Sequence, residues 1–375
     1  MIRVAVLLSL TLVFVASVSR AQDEYRPKAG EFPPAAVGVS LSGELVGIDH
    51  VNRRGALRLD GDGVDDRYHR APSHRFAMLP TGVIRYHGAP AELGDIPLGT
   101  HLRGVFCLPA AGDQTIPPPL PQDEVYVPKQ NHVLLLEDDF SYYARQGQVW
   151  KIETVEPDKG KLKATLQGGM VPEGVKREQT FDMGPSTQIW KGREIADLKD
   201  VGPGAEVQFN FTWAPDWLNG QLHISDIWLD QASRELASTR QRARHIRYEK
   251  IRGLPAWVNQ VEHQPGGKGM VTVTLFGGQD ESLYAGFQAN RGARIAAAET
   301  TLRTWWQEHD NKYGHILERK DVEHPPVGSS GIQLRLQCNE LLEGFRPGRV
   351  VRLCLSEWPR IKLPPEERIK DLNDR

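Results

Sequence analysis

The chain has 375 residues, a formal net charge of −2 and 25% charged residues. That balance excludes a polybasic binder of polyanions and an acidic solvating tail, and the length allows two or three domains of ordinary size. Gly at 36 and Pro at 26 point to many short strands separated by turns, not to a bundle of long helices.

The first element is an address. Met1 to Gln22 carries one early cation, Arg3, then an apolar run from Val4 to Val18, then Ser19-Arg20-Ala21. The run falls short of the roughly 20 apolar residues a spanning helix needs, and Ser19 and Ala21 suit the small pockets of signal peptidase. Residues 1–21 therefore read as a signal peptide cleaved after Ala21, which implies a secreted or periplasmic protein with no membrane span after cleavage. Arg20 is an unusual neighbour for such a site, so an uncleaved anchor is the alternative. A flexible N-terminal segment is expected over 22–41.

The next stretch is written twice. "FAMLPTGVIRYHGAPAELGDIPLGTHLRGVF" from Phe76 aligns without a gap to "FDMGPSTQIWKGREIADLKDVGPGAEVQFNF" from Phe181, through Phe76/Phe181, Met78/Met183, Ile84/Ile189, Leu93/Leu198, Asp95/Asp200, Gly99/Gly204 and Phe106/Phe211. Shared positions are mostly apolar residues and turn-makers, which is what a shared backbone demands. Upstream, "IDHVNRRGALRL" from Ile48, "IETVEPDKGKLKATL" from Ile152 and "VNQVEHQPGGKGMVTVTL" from Val258 each alternate around a Gly-bearing turn, the pattern of a β-hairpin. "LLEGFRPGRVVRLCL" from Leu341 closes a third copy through Pro347/Pro203 and Gly348/Gly204.

These units predict a mainly β protein of three tandem small barrels joined by one long helix, with β-sandwich repeats as the alternative. The boundaries read as module 1 over 42–109, module 2 over 148–229 and module 3 over 254–359. Module 3 carries an unmatched insertion at 305–333, and a C-terminal tail follows over 360–375. Through Thr81/Ser186, Ile84/Ile189, Leu93-x-Asp95-Ile96 with Leu198-x-Asp200-Val201, and Gly99-x-x-Leu102 with Gly204-x-x-Val207, the unit resembles the OB-like barrel modules of exported bacterial proteins. The resemblance brings no catalytic residue to transfer.

Between modules 1 and 2, residues 110–147 read as a proline-rich linker, "DQTIPPPLPQDE", followed by an apolar strand and an acidic turn at Glu137-Asp138-Asp139. Between modules 2 and 3, residues 230–253 form the basic helix, with Arg240, Arg244 and Arg247 as candidate anion-binding residues on an otherwise solvated face. Cys338 and Cys354 end two predicted strands and are candidates for a disulfide in an oxidising compartment, while Cys107 reads as a small buried apolar residue.

"DGDGVDD" from Asp60 starts like a calcium loop but has Val64, Asp65 and Ala71 where a ligand, a glycine and a bidentate glutamate belong. His69 and His74 lack metal-ligand spacing, and no nucleophile, zinc or nucleotide motif occurs. No cofactor or metal is expected. Of the nine tryptophans, Trp190, Trp213, Trp217, Trp305 and Trp306 are the candidate ligand platform, and Trp150, Trp228 and Trp257 read as core or junction residues.

The resulting expectation is an exported, non-catalytic binding or scaffolding protein of the cell envelope, whose partner is a polysaccharide or an envelope protein. An enzyme on an extracellular polysaccharide, with its site at a module junction and acids such as Glu137, Asp138, Asp139 or Asp216, is the alternative. Export and near-neutral charge argue against nucleic acid.

Overall fold

The structure, a computed structural model, describes residues 25–60, 72–123, 127–169, 177–213, 222–297 and 311–359. The chain is mainly β, with a first closed barrel, a ring-like second sheet and a third closed barrel in tandem. Among the described residues no helix is long and apolar enough to cross a membrane.

The first barrel is made of β1 (Val39–Asp49), β2 (Arg54–Leu59), β3 (His74–Tyr86), the short β4 (Ala89–Pro90), β5 (His101–Cys107) and β6 (His132–Asp138). Its ring runs β1-β2-β3-β6-β5 and back to β1, with β3 and β6 parallel and every other pair antiparallel. Helix α1 (Asp139–Arg145) leads into the second unit: β7 (Val149–Glu156), β8 (Lys161–Gln167), β9 (Glu178–Lys191), β10 (Glu194–Ile195), β11 (Glu206–Thr212) and β12 (His223–Trp228). Here the ring is β7-β8-β9-β12-β11, again with one parallel pair, β9 with β12. Helix α2 (Gln231–Arg252) then crosses to the third barrel of β13 (Leu254–His263), β14 (Gly269–Phe276), β15 (Gly292–Ala297), β16 (Asn311–Asp321), β17 (Ser329–Cys338) and β18 (Val350–Leu355), with a single helical turn, α3 (Glu281–Tyr284), between β14 and β15. This barrel departs from the other two in being antiparallel throughout, in the order β13-β14-β17-β16-β15-β18.

The local reasons are those the sequence offers. Each opening hairpin alternates inward and outward residues and carries a bulge in its first strand, at Leu45/Gly47, Ile152/Thr154 and Val258/Gln260, which coils a short sheet tightly enough to close. The Leu-x-Asp segments are matching 3-10 turns, Leu93–Asp95 and Leu198–Asp200, in each of which the Asp carboxylate accepts from the backbone N–H of the residue before the turn, Glu92 or Asp197. Gly99, Gly204 and Gly348, which precede β5, β11 and β18, have φ of 90°, 87° and 78°, a region in which a side chain is strained. Each unit then fills its own interior. Leu45, Leu57, Phe76 and Phe106 fill the first, Trp150, Phe209 and Phe211 the second, and Val271, Phe287, Leu336 and Leu353 the third.

Several expectations change. The sheets close on themselves, so the sandwich alternative fails. Segment 110–147, read as linker and strand, delivers β6, which fills the wall of the first barrel between β3 and β5. The stretch left unmatched at 305–333 contains β16 and the start of β17, both wall strands of the third barrel; Trp305 and Trp306 lie outside the described residues. The Glu137-Asp138-Asp139 turn is not solvated: the three acids end β6 and begin α1, all buried. Cys338 and Cys354 do not pair. They sit on β17 and β18, which are not neighbours in the ring, and all three cysteines are free. Cys107 is buried, and burial pushes its thiol up to about 12, so it stays protonated and inert.

The units are docked to one another. Asn210 of β11 donates to Asp138 Oδ2 at 2.9 Å and accepts from Phe140 N at 2.9 Å, and Thr212 Oγ1 donates to the Gly99 carbonyl at 2.7 Å. Between first and third barrels, Gly278 and Gly328 press on Val83 and Thr81 of β3 so closely that a Cβ at Gly278 would lie 2.5 Å from Val83.

Candidate functional site

Two signals that are separate in the sequence meet where the first barrel, the second barrel and α2 come together. The β3–β4 hairpin turns at His87 and Gly88, both with positive φ, the conformation a two-residue hairpin requires. His87 pays for this unusual geometry with fixed partners: its N–H donates to Asp138 Oδ2 at 3.0 Å and its carbonyl accepts from Ser238 Oγ of α2 at 2.5 Å. The neighbouring Tyr86 ring stacks on the His87 ring at 3.7 Å between centroids.

From the second barrel come two tryptophans. Trp190 is the penultimate residue of β9, and the parallel pairing of β9 with β12 sets it opposite Trp228. Trp190 Nε1 donates to Asp226 Oδ1 at 3.1 Å, which fixes the indole plane. Trp228 meets His87 and Phe140 edge-on, each at 4.9 Å between centroids. Helix α2 supplies the remaining wall, with Leu236 and Ala237 beside Arg240 and Arg244. These groups enclose a cleft of about 260 Å³. A wider groove of about 540 Å³ on the other flank of α2, lined among others by Gln208, Arg234 and Glu235, is shallower and mixes charges of both signs.

The electrostatics of the cleft are simple. Burial lowers the pKa of His87, against the opposing pull of Asp138 and Asp226, so the imidazole is neutral at neutral pH. Burial raises the Tyr86 phenol, which keeps its proton. Arg244 is committed to Asp95, with Nε–Oδ1 at 2.6 Å. Arg240, one helical turn earlier, is exposed and makes no ion pair among the described residues. The cleft thus offers ring faces, one carboxylate already engaged by Trp190, and one uncommitted guanidinium.

Other candidates are placed differently. Trp213 is 7% exposed at the end of β11 and offers no open face. Trp217 and Asp216 lie outside the described residues, as do Trp305 and Trp306. Arg247 is exposed on α2 and does not line the cleft. Asp60, first residue of the supposed calcium loop, accepts from Ser42 Oγ at 2.5 Å and from His101 Nε2 at 2.9 Å; residues 61–71 lie outside the described ones. His74 is buried against the Gln130 carbonyl, and burial brings its pKa down to about 4. The acids raised as catalytic candidates are committed too: Glu137 to Arg145, Asp138 to the N–H groups of His87 and Ser141, and Asp139 to His101 and Arg103.

Tyr86, His87 and Trp228 were missed as site residues. Trp228 reads as a core strand residue by its neighbours, and Tyr86 and His87 belong to the repeated stretch, where a turn explains them. The one signal that could have found them is the alignment itself, which sets Arg85 against Trp190 and Tyr86 against the next residue, Lys191. No protein-family model, curated protein or solved structure matches the chain.

Proposed function

We propose that this is an exported, non-catalytic binding protein that holds a segment of an acidic polysaccharide in the cleft between its first two barrels and α2. The observation that carries the reading is the meeting of the half-buried rings of Trp190 and Tyr86 with the exposed Arg240 in one cleft. Sugar rings present flat C–H faces that stack on indole and phenol, and the carboxylate of a uronic acid would find the exposed Arg240 at the rim. Asp226 is the one carboxylate among the described residues lining the cleft, whereas glycosidic cleavage needs two that flank the scissile bond, so binding is favoured over hydrolysis there. Export rests on the N-terminal apolar run and gives the protein access to such polymers.

The test is isothermal titration of the mature chain with uronic-acid oligomers and with neutral glucan oligomers of the same length. Trp190→Ala is expected to weaken binding of the acidic oligomers about tenfold, the equivalent of about 1.4 kcal/mol. Arg240→Ala should weaken it less and flatten its salt dependence, since a rim charge is screened by ions. Equal affinity for neutral and acidic oligomers, or release of reducing ends from either, would sink the proposal.

A further inference from the structure

Farther along the same helix lies a second cluster that the cleft does not use. His245 and Glu249 are four residues apart on α2 and therefore share a face, while Glu92 reaches them from the first barrel, just before the Leu93 turn. One ligand atom of each lies within 4.8 Å of the others, and all three residues are buried, His245 at 1% and Glu249 at 0% exposure. Both ring nitrogens of His245 and Oε1 of Glu249 have no hydrogen-bond partner, although a buried polar atom left unpaired is costly. The remaining carboxylate oxygens face cations instead: Glu92 Oε2 lies 3.5 Å from Arg53 Nε, and Glu249 Oε2 lies 3.4 Å from Arg352 Nη1 on β18. Each arginine has carbonyl partners besides these carboxylates. Arg53 is held by the carbonyls of Leu79, Pro80 and Gly82, and Arg352 by that of Gly253 at 2.8 Å.

We propose that Glu92, His245 and Glu249 form a binding site for a divalent transition-metal ion of the zinc class. One imidazole nitrogen and two carboxylate oxygens are the donor set such ions take, and ligand atoms about 2.0–2.2 Å from a tetrahedral ion stand roughly 3.3–3.6 Å apart, within the observed spacing. The two arginines balance charge on the outer oxygens and leave the inner ones for the ion. Because Glu92 belongs to the first barrel and the other two ligands to α2, the ion would act as a clamp between them. Glu249 in turn touches the third barrel through Arg352, so the clamp sits at the joint of three elements.

The experiment is metal titration of the full chain after removal of adventitious metal with EDTA. Zinc alone is expected to bind at one ion per chain and raise the melting temperature, and cobalt(II) in its place should give visible absorption of a four- or five-coordinate site. Glu92→Gln, the least buried ligand and the substitution least disruptive to folding, should weaken zinc at least about 100-fold and remove the cobalt bands, with its far-ultraviolet dichroism unchanged. His245→Gln should do the same. If the wild-type chain takes up no zinc and shows no cobalt bands, or if both persist unchanged in Glu92→Gln and His245→Gln, the site is not where we place it.

Discussion

His101 is the residue whose environment says most about the interior. It is buried between Asp139, at 2.7 Å from Nδ1, and Asp60, at 2.9 Å from Nε2, while Arg103 shares Asp139 at 2.7 Å. Burial disfavours a charged imidazole, but the two carboxylates outweigh it and lift the pKa to about 10. The same pairing, opposed by burial, holds Asp60 down to about 2. A histidine raised from 6.5 contributes stability that is complete below pH 6.5 and lost as pH rises through about 10; a depressed aspartate contributes stability complete above about 4 and lost as pH falls through about 2. His101→Gln is therefore expected to cost about 3 kcal/mol, the scale for breaking a buried ion pair, between pH 4 and 6.5. Urea unfolding of both proteins across pH should show that difference shrinking from pH 6.5 towards 10, and a penalty constant up to pH 10 would mean the ring is neutral.

At the scale of elements, α2 is held by its ends and by one polar stripe. Its mean character is basic and its buried residues are Ser233, Gln241, His245 and Glu249, so hydrophobic burial alone does not explain its position. Gln241 donates to the Pro90 carbonyl at 3.2 Å and to Asp95 at 2.9 Å, and Arg242 reaches Asp280 at 3.1 Å, tying the helix to the first and third barrels. At its start Asp230 caps the first turn by accepting from Ser233 N at 2.7 Å and also accepts from Gly192 N, next to the cleft. Asp230→Ala should cost about 1 kcal/mol, the usual value of a lost cap, in chemical denaturation. It should also weaken the proposed binding of acidic oligosaccharide at the cleft, because Gly192 loses its anchor.

For the whole molecule the question is whether the barrels unfold together. Asp138 and Asn210 sit at the centre of the first interface, both buried, with Asp138 also accepting from the N–H groups of His87 and Ser141. Asn210→Ala would leave a buried carboxylate short of a donor and the Phe140 N–H without an acceptor, a loss of about 2–4 kcal/mol. Calorimetry should resolve the single transition expected of the wild type into two, as the first and second barrels uncouple. A variant that melts in one transition at an unchanged temperature would show that the interface contributes little.

Much of the build was legible because it is local. Alternation around Gly160 or Gly267 specifies a hairpin, Leu-x-Asp specifies a short turn, and Gly99 and Gly204 mark positive φ, since each depends on neighbours a few residues away. The basic helix was legible for the same reason, whereas the pair His245 and Glu249, although four residues apart on one face, gained meaning only when Glu92 joined it from the first barrel. What the chain alone could not give is which distant segments share an interior. Glu137-Asp138-Asp139 looks solvated until His101, Arg103, Arg145 and Asn210 arrive from elsewhere in the sequence, and Trp190 and Arg240 become one cleft only when β9 and β12 pair in parallel beside α2. Closure of a barrel and docking of a helix are settled by long-range burial of apolar surface and by pairing of buried polar groups, and those terms exist only when the whole chain is in place.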